Sequence, residues 1–321
     1  MALDPQLHRV LELLRARGLV GFADMTVAQA RAAILALTDF QGEPQPIAGF
    51  QDIPVPGPAG PLPTRVYRPA GSGAARRLPM IVYFHGGGFV LGNLELADRP
   101  CRALANASGA LVASVEYRKA PEAPFPAAVL DCHAATDWLI EHAASLGGDP
   151  TRIGVAGDNV GANLAAVVAQ RARGQRGPVL AVQLLMYPPV DFAGEWPSRA
   201  EHSEGYLLST RDLDWFAEHY LGSDPEPDPA DPRLSPLRAA DLANLPPTMV
   251  VTAGHDPLRD EGRAYARALA QAGVFVRERH DETMVHGFCW LTGTVERAEE
   301  VLTELGDFAR DIFATATAAP H

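Results

Sequence analysis

Cysteine is scarce in this chain. Three thiols, Cys101, Cys132 and Cys289, are scattered through 321 residues without a C-x-x-C pair. That number and spacing exclude a disulfide scaffold and a zinc ribbon, and read as reduced thiols in a cytosolic protein. Cys289 stands three residues after a histidine of interest, and core packing is its default role. Basic residues are also short, 27 Lys and Arg against 39 Asp and Glu, for a net charge of −12. Such a balance argues against nucleic acid or an anionic membrane as partner. No apolar run approaches the ~18 residues that span a bilayer. The opening "MALDPQLHRVLELLRARG" has neither an unbroken apolar stretch nor a small-residue cleavage site, so it reads as an amphipathic helix rather than a signal peptide. A cytoplasmic location is the expectation.

What is present is the composition of a soluble globular protein, with 47% hydrophobic and 21% charged residues. The length suits one α/β enzyme with insertions and is enough to bury a large core. Leu7, Val10, Leu11 and Leu14 share one helical face, and "TVAQARAAILAL" opens with capping-box spacing between Thr26 and Gln29. Proline then dominates from "QGEPQPIAGF" to "VPGPAGPLP", which suits edge strands and turns and excludes helix. Beyond it, apolar β-branched runs ("PMIVYF", "ALVASVEY", "RIGVAG", "VLAVQLLMY", "TMVVTAG", "VFVRER") alternate with helical patterns such as "PAAVLDCHAATDWLIEHAASLGG", "VGANLAAVVAQRARG", "RAYARALAQAG" and "VERAEEVLTELGDFARDIF". That alternation predicts an α/β fold with a mainly parallel sheet covered on both faces. From Asp191 to about Pro247 the rhythm stops. "FAGEWPSRAEHSEGYLLSTRDLDWFAEHYLG" reads as a helix with aromatic anchors, followed by the Pro/Asp-rich "SDPEPDPADPRLSP". Insertions of this length in a compact fold are usually lids or binding surfaces.

Residues able to do chemistry gather in loops just past strand ends, where open α/β sheets hold ligands. "YFHGGGFVLGN" follows a buried strand with Gly86, Gly87 and Gly88. Consecutive glycines let backbone N–H groups approach a ligand closely and can stabilise an oxyanion. A phosphate cradle is disfavoured, because no Gly-Lys-Ser/Thr follows. "GVAGDNVGAN" has the form of the strand–turn–helix elbow G-x-S-x-G, except that Asn159 stands at the serine position. "GHDPLRDEG" and "DETMVHGF" then supply Asp256 and His286. An acid and then a histidine after the elbow is the chain order of α/β-hydrolases. Asp260, Glu261, Asp281 and Glu282 are also near; Asp256 is preferred because it comes first after its strand. A dinucleotide site fits poorly. Gly154, Gly157 and Gly161 do not have the G-x-G-x-x-G spacing, and "ARGQRG" offers no acid for a ribose.

Together "HGGGF", "YRKAPEAPFPAA", "GDNVGAN", "YPPVD", "DPLRDEG" and "VHGF" resemble, in order and over nearly the whole chain, the bacterial hormone-sensitive-lipase family of carboxylesterases. The resemblance implies an α/β-hydrolase fold with a core of residues 46–190 and 248–321. It implies a helical cap made from residues 1–45 and the insertion 191–247. It implies oxyanion donors at Gly87, Gly88 and Val160, Asp256 and His286 as acid and base, no metal or organic cofactor, and small-molecule esters with fairly short acyl chains as substrates. A homodimer is a weaker implication. Phe89, Leu91, Tyr187, Leu207, Leu208 and Phe216 are candidate substrate walls. Three positions depart from the family pattern: Asn159 for serine, Val160 for alanine, and Ala162 for a glycine where helix and strand pack closely.

Asn159 decides the expected activity. Its amide nitrogen shares its lone pair with the carbonyl and cannot replace a hydroxyl that passes its proton to histidine. Asparagine does tolerate the positive φ an elbow demands, and its side chain can still bond to His286. The expectation is a folded, ligand-competent, hydrolytically dead chain. A non-catalytic small-molecule receptor on the same scaffold is the alternative. Retention of the glycine loop, Asp256 and His286 favours a single recent substitution over long release from catalysis.

Overall fold

The computed structural model describes residues 2–18, 21–73, 77–173, 180–222 and 227–316. An amphipathic helix α1 (Pro5–Ala16), capped by the Asp4 carboxylate, buries Leu7, Val10, Leu11 and Leu14. Helix α2 (Val27–Leu35) begins with the expected Thr26–Gln29 capping box. The proline-rich stretch forms a hairpin of β1 (Gly49–Gly57) and β2 (Gly60–Arg68). Pro54 and Pro56 of β1 face Pro63 and Pro61 of β2, and β1 lies at the edge of the sheet, where missing N–H donors cost least.

Then come β3 (Leu78–Phe84), α3 (Asp98–Ser108), β4 (Leu111–Val115), α4 (Ala127–His142), β5 (Gly148–Asp158), α5 (Val160–Arg173) and β6 (Val182–Met186). The insertion carries α6 (Pro197–Glu201) and α7 (Thr210–Leu221), and β7 (Thr248–His255), α8 (Arg259–Gln271), β8 (Val276–Val285) and α9 (Glu296–Ala316) complete the fold. The eight strands form one sheet in the order β1-β2-β4-β3-β5-β6-β7-β8. β2 joins β4 antiparallel, and from β4 to β8 every pairing is parallel. Side chains on the two faces of β5 meet different helices. A Cβ at Gly154 would meet Phe313 of α9, and one at Gly157 would strike α5 at Gly161. The nearly continuous burial of β3, β4 and β6 is the consequence of that double cover.

Three elements differ from the sequence reading. Helix α3 was not expected. Its buried face of Pro100, Cys101, Leu104, Ala105 and Ser108 alternates at helical spacing with partly exposed Arg99, Arg102 and Asn106, so the amphipathic period is present and the sequence reading missed it. The inserted segment forms two helices rather than one, because Ser209 starts a new helix by a reciprocal capping box with Asp212. Strand β8 continues past "VFVRER" to Val285, its polar residues lying on an exposed edge. Gly174, Val179 and Ser223 to Glu226, which belong to stretches read as helix end, strand start and Pro/Asp-rich loop, lie outside the described residues. No described helix is long and apolar enough to cross a membrane.

Candidate active site

Strand register brings the distant residues together. Phe84 of β3 pairs with Gly157 of β5, so the glycine loop and the elbow leave the sheet side by side. His255 of β7 pairs with Val285 of β8 after a shift in register, so Asp256 and His286 each follow the same pairing by one residue. All four strand ends open on one crevice.

The elbow is tight. Asn159 has φ 51°, a left-handed conformation, and its N–H donates to the Met186 carbonyl at 2.9 Å. A Cβ at Gly161 would run into the Phe84 carbonyl, and this close approach of α5 to β3 requires glycine. Ala162, the methyl that departs from the family pattern, is fully buried in the first turn of α5. In the loop, Gly87 and Gly88 have φ 119° and 62°. Their N–H groups converge on one acceptor, Oδ1 of Asn159, at 3.3 and 3.1 Å. Two N–H donors on that side require the carbonyl oxygen there, so the NH2 turns to His286, with Nδ2 2.9 Å from Nε2. Nε2 is therefore the accepting nitrogen of the ring. Its Nδ1–H donates to Oδ2 of Asp256 at 3.0 Å, and Oδ1 of Asp256 accepts the Leu258 N–H at 2.8 Å. The carboxamide thus bridges the glycine donors and the histidine. The third expected donor, the Val160 N–H, makes no bond to it among the described residues.

Of the competing acids none reaches His286. Asp260 accepts from Ser198 and Arg259, Glu261 from Arg199 and Val190, Asp281 from Arg279 and Arg297, and Glu282 is exposed. Behind the elbow, Asp158 is fully buried. Its Oδ1 accepts the Tyr83 hydroxyl at 2.6 Å and the Gly86 N–H at 3.0 Å. Burial lifts its pKa to about 6 against those two bonds. His85 packs flat on Tyr117, whose hydroxyl donates to the His85 carbonyl at 2.7 Å, steadying the base of the glycine loop.

Two clefts meet at Asn159. One, of about 630 Å³ including space open to solvent, holds His286, Leu91, Tyr187 and Leu207. The other, of about 940 Å³, lies on the Val160 side and holds Phe89. Leu208 and Phe216 border both, so all six expected wall residues face this space. The sequence reading missed Phe22, Ile34, Leu37 and Trp290 on the first cleft and Tyr220 on the second. Ile34 and Leu37 could have been found, since they lie three residues apart as an apolar stripe of α2 and its following turn. Phe22 and Trp290 carried no such signal. The N-terminal segment and the insertion hold each other. Oδ1 of Asp212 accepts the N–H groups of Phe22 and Ala23 at 2.6 and 3.0 Å, and the rings of Phe22 and Phe216 lie 5.8 Å apart. Cys101, Cys132 and Cys289 are buried and unpaired, and burial pushes the Cys289 thiol well above its ordinary pKa, which makes it a packing residue. Among the described residues no three His, Cys, Asp or Glu side chains converge as a metal-ligand set.

A mainly parallel sheet with an elbow after β5, a glycine loop after β3 and an acid and a histidine after β7 and β8 defines an α/β-hydrolase. Residues 81–290 match the family model described as alpha/beta hydrolase fold, and the chain belongs to that family, as the motif resemblance had implied. The chain is 44% identical to carboxylic ester hydrolase LipN of Mycobacterium tuberculosis, over 89% of this chain and 77% of that protein. It is 36% identical to ethyl acetate hydrolase of Pseudomonas putida, over 94% and 96% of the two chains. A solved structure of a serine-to-alanine mutant of LAE6, an α/β-hydrolase enzyme from the metagenome of Lake Arreo, superposes with a TM-score of 0.92 at 40% identity, covering 97% of this chain and 99% of that one. The relatives are ester hydrolases.

Proposed function

We propose that this chain carries a carboxylesterase site for small, short-chain esters and that Asn159 silences it. In the reaction for which the site is laid out, a serine at position 159 attacks the ester carbonyl while His286 takes its proton. The N–H groups of Gly87 and Gly88, joined by that of Val160, hold the oxyanion, and Asp256 holds the imidazole in the accepting tautomer. The leaving alcohol takes its proton from Nε2, so it belongs in the cleft that contains His286, and the acyl group in the cleft beside Val160. Residues 1–45 and 191–247 act as the cap that walls both clefts, above a core of 46–190 and 248–321; the Asp212 bonds to Phe22 and Ala23 support reading them as one unit.

The observation that carries the proposal is the seating of the Asn159 carboxamide. Its oxygen takes the two glycine donors and its nitrogen faces His286. Every group except the nucleophile is ready, and the substitute occupies the place the ester carbonyl needs. The ester chemistry of the relatives supports the substrate class. A receptor that binds a small molecule without turnover is the second reading, favoured only by that occupancy. Comparing the chain with Asn159→Ser on a short-chain chromogenic ester separates the two: turnover appearing in the variant supports the esterase, and equal inertness supports the receptor.

A further inference from the structure

The carboxamide of Asn159 is held in the manner of a substrate. Its oxygen accepts from the N–H groups of Gly87 and Gly88 at 3.3 and 3.1 Å, and its nitrogen lies 2.9 Å from the accepting Nε2 of His286. These are the positions a carbonyl oxygen and a leaving group would take in the proposed reaction. Asn159 also borders both clefts.

We propose that the site hydrolyses this amide, making Asn159 a self-modification site that the chain converts to aspartate. The inference rests on the proposed roles of the glycine donors and His286. A water oxygen bonds to Cγ as Nε2 of His286 takes one of its protons. The charge formed on Oδ1 is met by the two glycine N–H groups. His286 then passes the proton to Nδ2, the Cγ–Nδ2 bond breaks, and ammonia leaves. The second water proton stays on the new carboxyl group and ionises to Nε2. Amide and water are consumed, and carboxylate, protonated His286 and ammonia are formed. The product is an imidazolium between the carboxylates of residues 159 and 256, an arrangement that favours the hydrolysed state.

The ordinary route to asparagine loss, closure of a cyclic imide by the next backbone nitrogen, is obstructed here. That nitrogen belongs to Val160, the first residue of α5, and the Asn159 carbonyl is tied to the N–H groups of Ala162 and Asn163 at 3.0 and 3.2 Å. Ring closure would have to unwind the helix start. The two routes leave different products, because the imide yields isoaspartate as well as aspartate, and direct hydrolysis yields aspartate alone.

The test is to incubate the purified chain in mildly alkaline buffer made with oxygen-18 water and to follow the peptide containing residue 159 by mass spectrometry, with chromatographic separation of aspartate from isoaspartate. The expected result is labelled aspartate without isoaspartate, accumulating about 10²–10⁴ times faster than in His286→Ala, the usual contribution of a positioned general acid–base. Should His286→Ala not fold, His286→Gln and the urea-unfolded chain serve as the slow references. An amide that survives, an isoaspartate mixture, or equal rates in the references would overturn the inference. The esterase assay of Asn159→Ser is run alongside. An active variant beside an unchanged Asn159 overturns the self-hydrolysis alone, and an inert variant overturns the reading beneath it.

Discussion

Replacing Asn159 by serine should exchange stability for turnover, and both sides can be sized from the structure. The asparagine side chain makes three bonds, two from glycine N–H groups and one to His286. At about 1 kcal/mol net each, they contribute up to about 3 kcal/mol. Asparagine also sits at φ 51°, where serine is less at ease by a further fraction of a kcal/mol. The serine hydroxyl regains a bond to Nε2, so the variant should lose about 1–3 kcal/mol of folding free energy. Removing such a nucleophile costs another serine hydrolase roughly 10⁶ in turnover, about 8 kcal/mol of barrier, and restoring it should return a gain of that order. Ester turnover by stopped assay and urea unfolding of both chains measure the two quantities. A rate gain below about tenfold, or a variant more stable than the parent, would refute the reasoning, because either result means the carboxamide is not what blocks and braces the site.

Four further outcomes follow from the same geometry. In the Asn159→Ser background, Asp256→Asn should cost about 10⁴ in kcat by favouring the wrong imidazole tautomer, with KM little changed in steady-state kinetics. Gly161→Ala should destabilise by about 1–3 kcal/mol in thermal unfolding, because the new methyl meets the Phe84 carbonyl and α5 must retreat. Asp158 holds its proton more tightly when folded, with a pKa raised to about 6 from 3.8. Its contribution is therefore fully present below pH ~4 and lost as pH rises through about 6, a swing of about 3 kcal/mol. Asp158→Asn should accordingly flatten stability against pH between those limits, leaving the similar slope of buried Glu261, whose pKa is raised to about 7, in unfolding titrations across pH. Phe216 borders both clefts, so Phe216→Ala in the Asn159→Ser background should raise the ratio of long-chain to short-chain ester turnover; an unchanged ratio would remove it from the wall.

The α/β order, the elbow, the glycine loop and the choice of Asp256 over its acidic neighbours could be read from the chain. The reason is that backbone constraints write themselves into residue type. Only glycine fits where α5 touches β3, and only short apolar β-branched runs survive between two layers of helices. Helix α3 escaped although its amphipathic period is present, because the stretch is polar on average and carries a proline at its third residue; it packs on α9 through contacts such as Ala107 with Gly306. The cleft walls from Phe22 and Trp290 escaped because an apolar side chain reads the same whether it meets the core or a substrate.

The sequence by itself determined that position 159 has no nucleophile, since no fold can make an amide nitrogen into an alkoxide. Tertiary structure alone decided what the asparagine does instead. The pairing of His255 with Val285 and the inward turn of Gly87 and Gly88 put an acceptor and two donors around one carboxamide. Hydrogen bonds depend on distance and direction between groups remote in the chain, and those are properties of the folded sheet.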